Sequence, residues 1–254
     1  MMSIALKFAY DGKKFHGYAR QPNLLTVEGE LIKGLRKHRI IEDAKQSAFR
    51  SASRTDKGVS ALCNVVAFNT DSPKSDILNK LSNEFDDIIV YGIAKVEPDF
   101  NPRYAKLRQY RYFLKTDGLD IEKIISSANE FTGTHNFSNF SRVESFKDPI
   151  RTIDNIVVLT DKNILIIDFF AQTFLWHQIR RIISALEKVG CGKIEKDQII
   201  TALEKPDIKI DYGLAPAEPL VLMDIVNVFN FNNDRELVSK FRLFEDEIYF
   251  SHIS

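Results

Sequence analysis

Two cysteines in 254 residues, Cys63 and Cys191, are too few and too far apart for a disulfide framework or a metal cluster. That scarcity fits a reducing, cytoplasmic setting. Long hydrophobic runs are missing too, because charge interrupts the longest apolar stretches within about ten residues, well short of a membrane span. The opening Met1-Met2-Ser3-Ile4-Ala5-Leu6-Lys7 has no basic region followed by a long apolar stretch, so no signal peptide is expected. Net charge is absent: 35 basic residues balance 35 acidic ones, which argues against a uniformly basic nucleic-acid binder. There is no phosphate loop, no dinucleotide-type glycine cluster and no metal-ligand spacing. The remainder is that of an ordinary soluble protein, 44% hydrophobic and 28% charged, and long enough for one large domain or two of moderate size.

The charges that cancel in the sum do not cancel locally. From Asn101 to Lys115 the chain carries Arg103, Lys106, Arg108, Arg111 and Lys115 without an acid. The first sixty residues are basic as well, with Lys13, Lys14, Arg20, Lys33, Arg36, Lys37, Arg39, Arg50, Arg54 and Lys57. Acids gather at Asp76, Glu84, Asp86, Asp87 and Glu97, and again at Glu245, Asp246 and Glu247. A neutral protein with a segregated basic face can bind a phosphate backbone; the plainer reading is solvated strand and helix faces.

Ile4, Leu6, Phe8 and Tyr10 alternate with Ala5, Lys7 and Ala9, which predicts a half-buried strand. Thr26 is placed to cap a helix with Glu28 and Glu30 in its first turn and Val27, Leu31 and Leu35 at helical spacing. Ser75 is expected to cap a second helix that buries Ile77, Leu78, Leu81 and Phe85, followed by a strand over 88–96. Pro98 and Pro102 bracket the best candidate for a boundary between domains 1–100 and 101–254. The second half predicts strands over 107–115, 150–160, 164–172 and 220–229, and helices over 121–131, 176–189 and 195–203. Each half alternates strands and helices on a ferredoxin-like plan, so the fold class is α+β with mainly antiparallel sheet.

The segment Ser53-Arg54-Thr55-Asp56-Lys57-Gly58-Val59-Ser60-Ala61 sets one carboxylate at a tight turn between two cations, directly before a run that reads as a strand. Gln46 to Arg50 before it and Leu62 to Thr70 after it both look extended. Gly58 can adopt positive φ, so Asp-Lys-Gly is turn chemistry. One reading is a surface hairpin whose Asp56 caps its own turn. The other is a reactive carboxylate, kept ionised by Arg54 and Lys57, as suits a nucleophile or base.

The same nine residues resemble the active-site motif of the TruA-type tRNA pseudouridine synthases. Further segments resemble that family in order along the chain: Tyr10-Asp11-Gly12 with Phe15-His16-Gly17-Tyr18 and Arg20-Gln21-Pro22, Thr26 to Leu31, Arg108 to Phe113, Phe174 to Arg181, and Leu214 to Pro219. Lys57 and Ser60 look more like archaeal or eukaryotic members than bacterial ones. Ser53 stands where many relatives have glycine, and Tyr18 where tryptophan is common. The resemblance implies a cofactor-independent isomerase that converts uridine to pseudouridine in the anticodon arm of tRNA, around positions 38 to 40. It also implies that the sheets of the two halves join around a basic central cleft, and a homodimer whose two subunits together grip the tRNA.

Carried over residue by residue, the resemblance makes Asp56 the nucleophile, Arg180 the cation that pairs with it, and Tyr110 the ring that stacks on the target uracil and helps remove the C5 proton. Arg54, Lys57, Arg20, Gln21, Arg103, Lys106 and His177 are candidate RNA contacts, mostly to phosphate. Read without the family, Tyr110 and Tyr112 are an aromatic pair on one strand face, usually core. Arg180 and Arg181 then belong to a helix with one exposed and one structural arginine. His135 reads as structural, and Tyr112 as a buried partner of Tyr110. Two rival functions stay open: a non-catalytic tRNA-binding protein on the same fold, and a pseudouridine synthase acting on another RNA site.

Overall fold

The N-terminal strand β1 (Met2–Tyr10) is buried along both faces, not one. Ala5 and Ala9 are as inaccessible as Ile4, Leu6 and Phe8. The half-buried expectation fails because β1 is central, flanked antiparallel by β3 (Ser60–Thr70) and β4 (Ile88–Val96), with apolar packing on either side of it. The computed structural model describes residues 1–143, 147–233 and 235–253. In chain order the other elements are α1 (Val27–Lys37), β2 (Arg50–Ser51), α2 (Lys74–Leu81), β5 (Leu107–Lys115), α3 (Ile121–Ala128), β6 (Gly133–Asn136), β7 (Ile150–Ile153) and β8 (Asn155–Asp161). They continue with β9 (Ile164–Ala171), α4 (Gln178–Gly190), α5 (Lys196–Glu204), β10 (Leu220–Val226), β11 (Asn232–Asn233) and α6 (Arg235–Ile253). The architecture is mixed α/β with mainly antiparallel sheet.

The chain divides into two units, Met1–Lys106 with Val221–Ser254, and Leu107–Leu220. The division falls a few residues after the expected 100/101, and the tail belongs with the first unit rather than the second. The physical reason is β10, which pairs parallel to β3 through Val221 opposite Ser60 and Leu222 opposite Ala61.

In the first unit the strand order is β11-β4-β1-β3-β10, with β2 on the edge of β3. The β1 face that carries Lys7 and Ala9 is covered by α6, whose Leu237 packs with Ala9 and Tyr91. Lys7 Nζ donates to Asp224 Oδ1 at 3.3 Å and lies 5.7 Å from the Tyr91 ring centroid. Tyr91 stacks on Phe241 of α6 at 4.3 Å and donates its hydroxyl to the Leu62 carbonyl at 2.8 Å. One lysine thereby joins β1, β4 and the returning β10 beneath the tail helix. Burial pushes the nearby Cys63 thiol up to about 12.

The second unit has β9 between β5 and β8, all antiparallel, and a separate β6–β7 pair. Phe131, Phe137 and Phe140 are fully buried, with Phe131 edge-on to Phe140 at 4.9 Å and Phe140 stacked on Tyr212 at 5.1 Å. Helices α3 and α4 approach closely at Gly190, where a Cβ would lie 2.7 Å from Ile124 Cδ1.

Several local expectations are corrected. Thr26 caps α1 as expected, accepting from Gly29 N at 3.3 Å, but α2 begins after Pro73, and Ser75 sits inside its first turn bonded to Asp76. The strand expected over 150–160 splits at Asp154, one part pairing with β6 and the other with β9. The helix expected to run to Phe131 ends at Ala128 and tightens into a 3-10 turn. Residues 46–48 form turns, with Ala48 at φ +48°, leaving only Arg50 and Ser51 extended. The helix α6 was not expected; its apolar residues are mixed with Glu245, Asp246 and Glu247.

The burial contrast between the two thiols gives a direct check. Cys191 is exposed and Cys63 buried, and only a thiolate attacks a disulfide reagent. Titration of the native protein near pH 8 should report one fast thiol, with the second appearing only in denaturant.

Candidate functional site

The Asp56 turn is built from the residues around it. Val59 N–H donates to the Asp56 carbonyl at 3.2 Å, and Gly58 takes φ +90°. This is a type II turn with Asp56 at its first position and glycine where positive φ is required. Asp56 is half-buried, whereas Arg54 and Lys57 on either side are exposed.

Segment 10–18 braces this turn. The Tyr10 hydroxyl and Thr55 Oγ1 are 2.8 Å apart, and Tyr18 N–H donates to the Thr55 carbonyl at 3.1 Å. A Cβ on Gly12 would lie 2.1 Å from the Val59 carbonyl oxygen, so backbone meets backbone there and no side chain fits. Gly12 N–H donates to Ser60 Oγ at 3.0 Å on the far side of the turn. Gly17, at φ +96°, faces Lys57 N. Tyr18 is wholly enclosed, and that burial holds its phenol well above its ordinary range.

A second brace comes from β3. Buried Asn64 accepts from Ser53 N at 3.3 Å and from Val65 N at 2.8 Å, and donates to the Ser53 carbonyl at 2.9 Å. The start of α1 joins in. Glu28 N–H donates to the Tyr18 carbonyl at 2.9 Å, and its carboxylate accepts from Arg20 N at 3.0 Å and Ser51 Oγ at 3.3 Å.

Beyond Arg54 and Lys57 at the turn itself, the expected RNA contacts of the first unit fall into two groups. Arg20 and Gln21 are exposed on the loop after Tyr18, with Gln21 Nε2 donating to the His16 carbonyl at 3.0 Å. Arg103 and Lys106 are exposed around the 3-10 turn Pro102–Tyr104, which packs on β2 and β3; Lys106 N–H is fixed to the Val226 carbonyl at 2.9 Å.

In the second unit Tyr110 lies on β5 opposite Phe169 of β9, only 9% exposed, with its ring edge-on to Phe174 at 5.4 Å. Tyr112 is buried, as its strand position suggested, and donates to the Pro216 carbonyl at 3.2 Å; burial raises its phenol above the ordinary range. Arg108 is buried and hydrogen-bonded to the Gln172 carbonyl, so it is a strand-end tie. Arg111 and Asp168, directly opposed on β5 and β9, form a two-pronged ion pair at 2.8 Å.

Helix α4 carries Arg180 and Arg181. Arg180 Nε donates to the Ala215 carbonyl at 2.8 Å, and Ala215 N–H donates back to the Arg180 carbonyl at 3.1 Å, which stitches the loop 214–219 to the helix. Arg181 pairs with Asp211 at 2.9 Å. Both arginines are half-buried, so neither is the fully exposed one that the plain helix reading required. His177 sits at the N-cap with φ +63°, its ring 4.8 Å from that of Trp176. His135 Nε2 donates to the Thr132 carbonyl at 2.9 Å and packs on Phe137, a structural role.

Tyr10, Gly12, Glu28 and Asn64 are the residues that sequence reasoning did not assign. A polar Asn64 inside the apolar run from Leu62 to Phe68 was the available signal for one of them, since a buried amide needs fixed partners.

A sequence profile of the tRNA pseudouridine synthase family matches residues 127–226. Proteins named tRNA pseudouridine synthase A match over most of the chain. That of Thermococcus sibiricus is 47% identical over 88% of this chain and 84% of its own length. That of Pyrococcus abyssi is 46% identical over the same shares, and that of Methanosarcina mazei 42% identical over 88% and 84%. Among solved structures, a Cbf5-Nop10-Gar1 complex covers 71% of this chain and 46% of its own at 14% identity and a TM-score of 0.39, a distant likeness.

The brace can be tested by stability. Gly12→Ala forces a Cβ into a backbone carbonyl and should cost about 3 kcal/mol, the upper end for overpacking. Tyr10→Phe removes one hydrogen bond and should cost about 1 kcal/mol. Urea unfolding of the two variants beside the parent protein checks the order.

Proposed function

The chain belongs to the tRNA pseudouridine synthase family, and from that we propose that it isomerises uridine to pseudouridine in the anticodon arm of tRNA, around positions 38 to 40, with Asp56 as nucleophile. The observation that carries the assignment is the Asp56 turn: a half-buried carboxylate between two exposed cations, on a type II turn braced by Tyr10, Gly12, Tyr18 and Asn64. A solvated hairpin needs no such bracing. A nucleophile that must keep its place while a base leaves and returns does, because rate falls steeply with misplacement.

The reaction conserves every atom. The N1–C1′ bond breaks, the uracil turns, a C5–C1′ bond forms, C5 loses its proton and N1 gains one. No electron acceptor, water or donated group enters the balance, which is why the proposal includes no cofactor. Asp56 supplies the nucleophile, Arg180 its cation and Tyr110 the ring against the detached base, which aromatic stacking can hold in more than one orientation. The edge-on Phe174 supports Tyr110 in this role by fixing its ring. Arg54, Lys57, Arg20, Gln21, Arg103, Lys106 and His177 are assigned to the RNA backbone. The reading extends to a cytoplasmic homodimer, which sedimentation would test. No helix among the described residues is long and apolar enough to cross a membrane.

Asp56→Asn keeps the size of the side chain and removes the nucleophile. It should lower pseudouridine formation by about a thousandfold or more, while tRNA affinity stays within about twofold of the parent, since the change leaves the phosphate contacts in place. Undiminished turnover would remove Asp56 from the chemistry. Loss of binding instead of turnover would favour a positional role for the turn.

A further inference from the structure

Tyr104 is the most exposed aromatic side chain among the described residues, 81% accessible, in a protein whose other large rings are mostly buried. It is not on a loose loop. It ends the 3-10 turn Pro102–Tyr104, where Asn101 Oδ1 accepts from Arg103 N at 3.1 Å and Tyr104 N–H donates to the Asn101 carbonyl at 3.0 Å. Pro102 fixes φ at the first position and is itself buried. The turn packs on β2 and β3, and two residues later the chain is pinned again by the Lys106–Val226 backbone bond. The backbone that carries this open ring is therefore held at a fixed place.

Its surroundings are cationic. Arg103 and Lys106 flank it and are exposed, and β2, against which the turn packs, carries exposed Arg50. From Ser51 at the end of β2 the chain runs five residues to Asp56, so the two lie within about 18 Å at full extension. An exposed ring on a pinned backbone among cations is the arrangement that unpaired nucleobases stack on.

We propose that Tyr104 is a stacking platform for an unpaired nucleobase of the RNA substrate, a few nucleotides from the one that Asp56 acts on, with Arg103, Lys106 and Arg50 on the adjoining phosphates. This rests on the tRNA-modifying reading above. The ligand is a single-stranded base in a loop or at a helix end, because a base inside a duplex offers no open face.

The test is binding of an unmodified tRNA transcript by the full-length protein. Tyr104→Ala should weaken binding about 5- to 150-fold, the range for losing one stacked base, while Tyr104→Phe and Tyr104→Trp keep it within about twofold. The exposed side chain leaves folding intact, which an unchanged melting temperature of Tyr104→Ala verifies. The salt dependence separates ring from charge: Arg103→Ala should lower the slope of log K against log salt by about 1, and Tyr104→Ala should leave the slope unchanged. Parent-like affinity of Tyr104→Ala, an equal loss in Tyr104→Phe, or a change in self-association instead of RNA affinity would each overturn the platform. A parent protein that binds no tRNA would overturn the functional reading itself, which keeps the two failures apart.

Discussion

A carboxylate on a turn can act as a positioned nucleophile only if the turn is held, and here the holding contact is backbone against backbone at Gly12. With 2.1 Å between a hypothetical Cβ there and the Val59 carbonyl, no other residue lets segment 10–18 close on the Asp56 turn. That closure brings the Tyr10 hydroxyl to Thr55 and the Tyr18 amide to the Thr55 carbonyl. It also sets the start of α1, because Glu28 bonds to the Tyr18 carbonyl and collects Arg20 and Ser51. Residues that look unrelated in the sequence, from Tyr10 to Glu28, serve one turn that lies well beyond them in the chain.

The sheet beneath supplies rigidity. β1 and β3 meet antiparallel with a register irregularity between Phe8 and Tyr10, the kind of local twist that re-aims side chains near a site. The tail closes the first unit by laying β10 parallel on β3 beside Ser60 and Ala61, immediately after the turn. The Lys7–Asp224 contact ties that return strand to β1, so the polypeptide just past Asp56 has neighbours on both sides. In the second unit the equivalent service is done by loop 214–219, fixed to α4 by reciprocal bonds between Arg180 and Ala215.

Much of this was legible beforehand, for identifiable reasons. The turn at Asp56 followed from Asp-Lys-Gly, the α1 start from Thr26, and the burial of Tyr112 from strand periodicity. What failed did so where tertiary context overrides local pattern. β1 alternates yet is buried on both faces because strands flank it and side chains cover both sides. One apparent strand over 150–160 is two, since Asp154 marks where the chain changes sheet. Helix α6 escaped notice because its acids dilute the apolar period, and the tail's return to the first unit is a long-range pairing that no local signal encodes. The motif around Tyr10-Asp11-Gly12 was visible as a resemblance, but its job as a brace depends on a distance that only coordinates give.

The central claim is that this chain makes pseudouridine without help from any other molecule. The most direct measurement is nucleotide-resolution mapping of pseudouridine on an unmodified tRNA transcript incubated with the purified protein alone. New pseudouridine confined to the anticodon arm is the predicted result. Tight tRNA binding with no pseudouridine anywhere would contradict the account and leave a binding protein on a synthase fold.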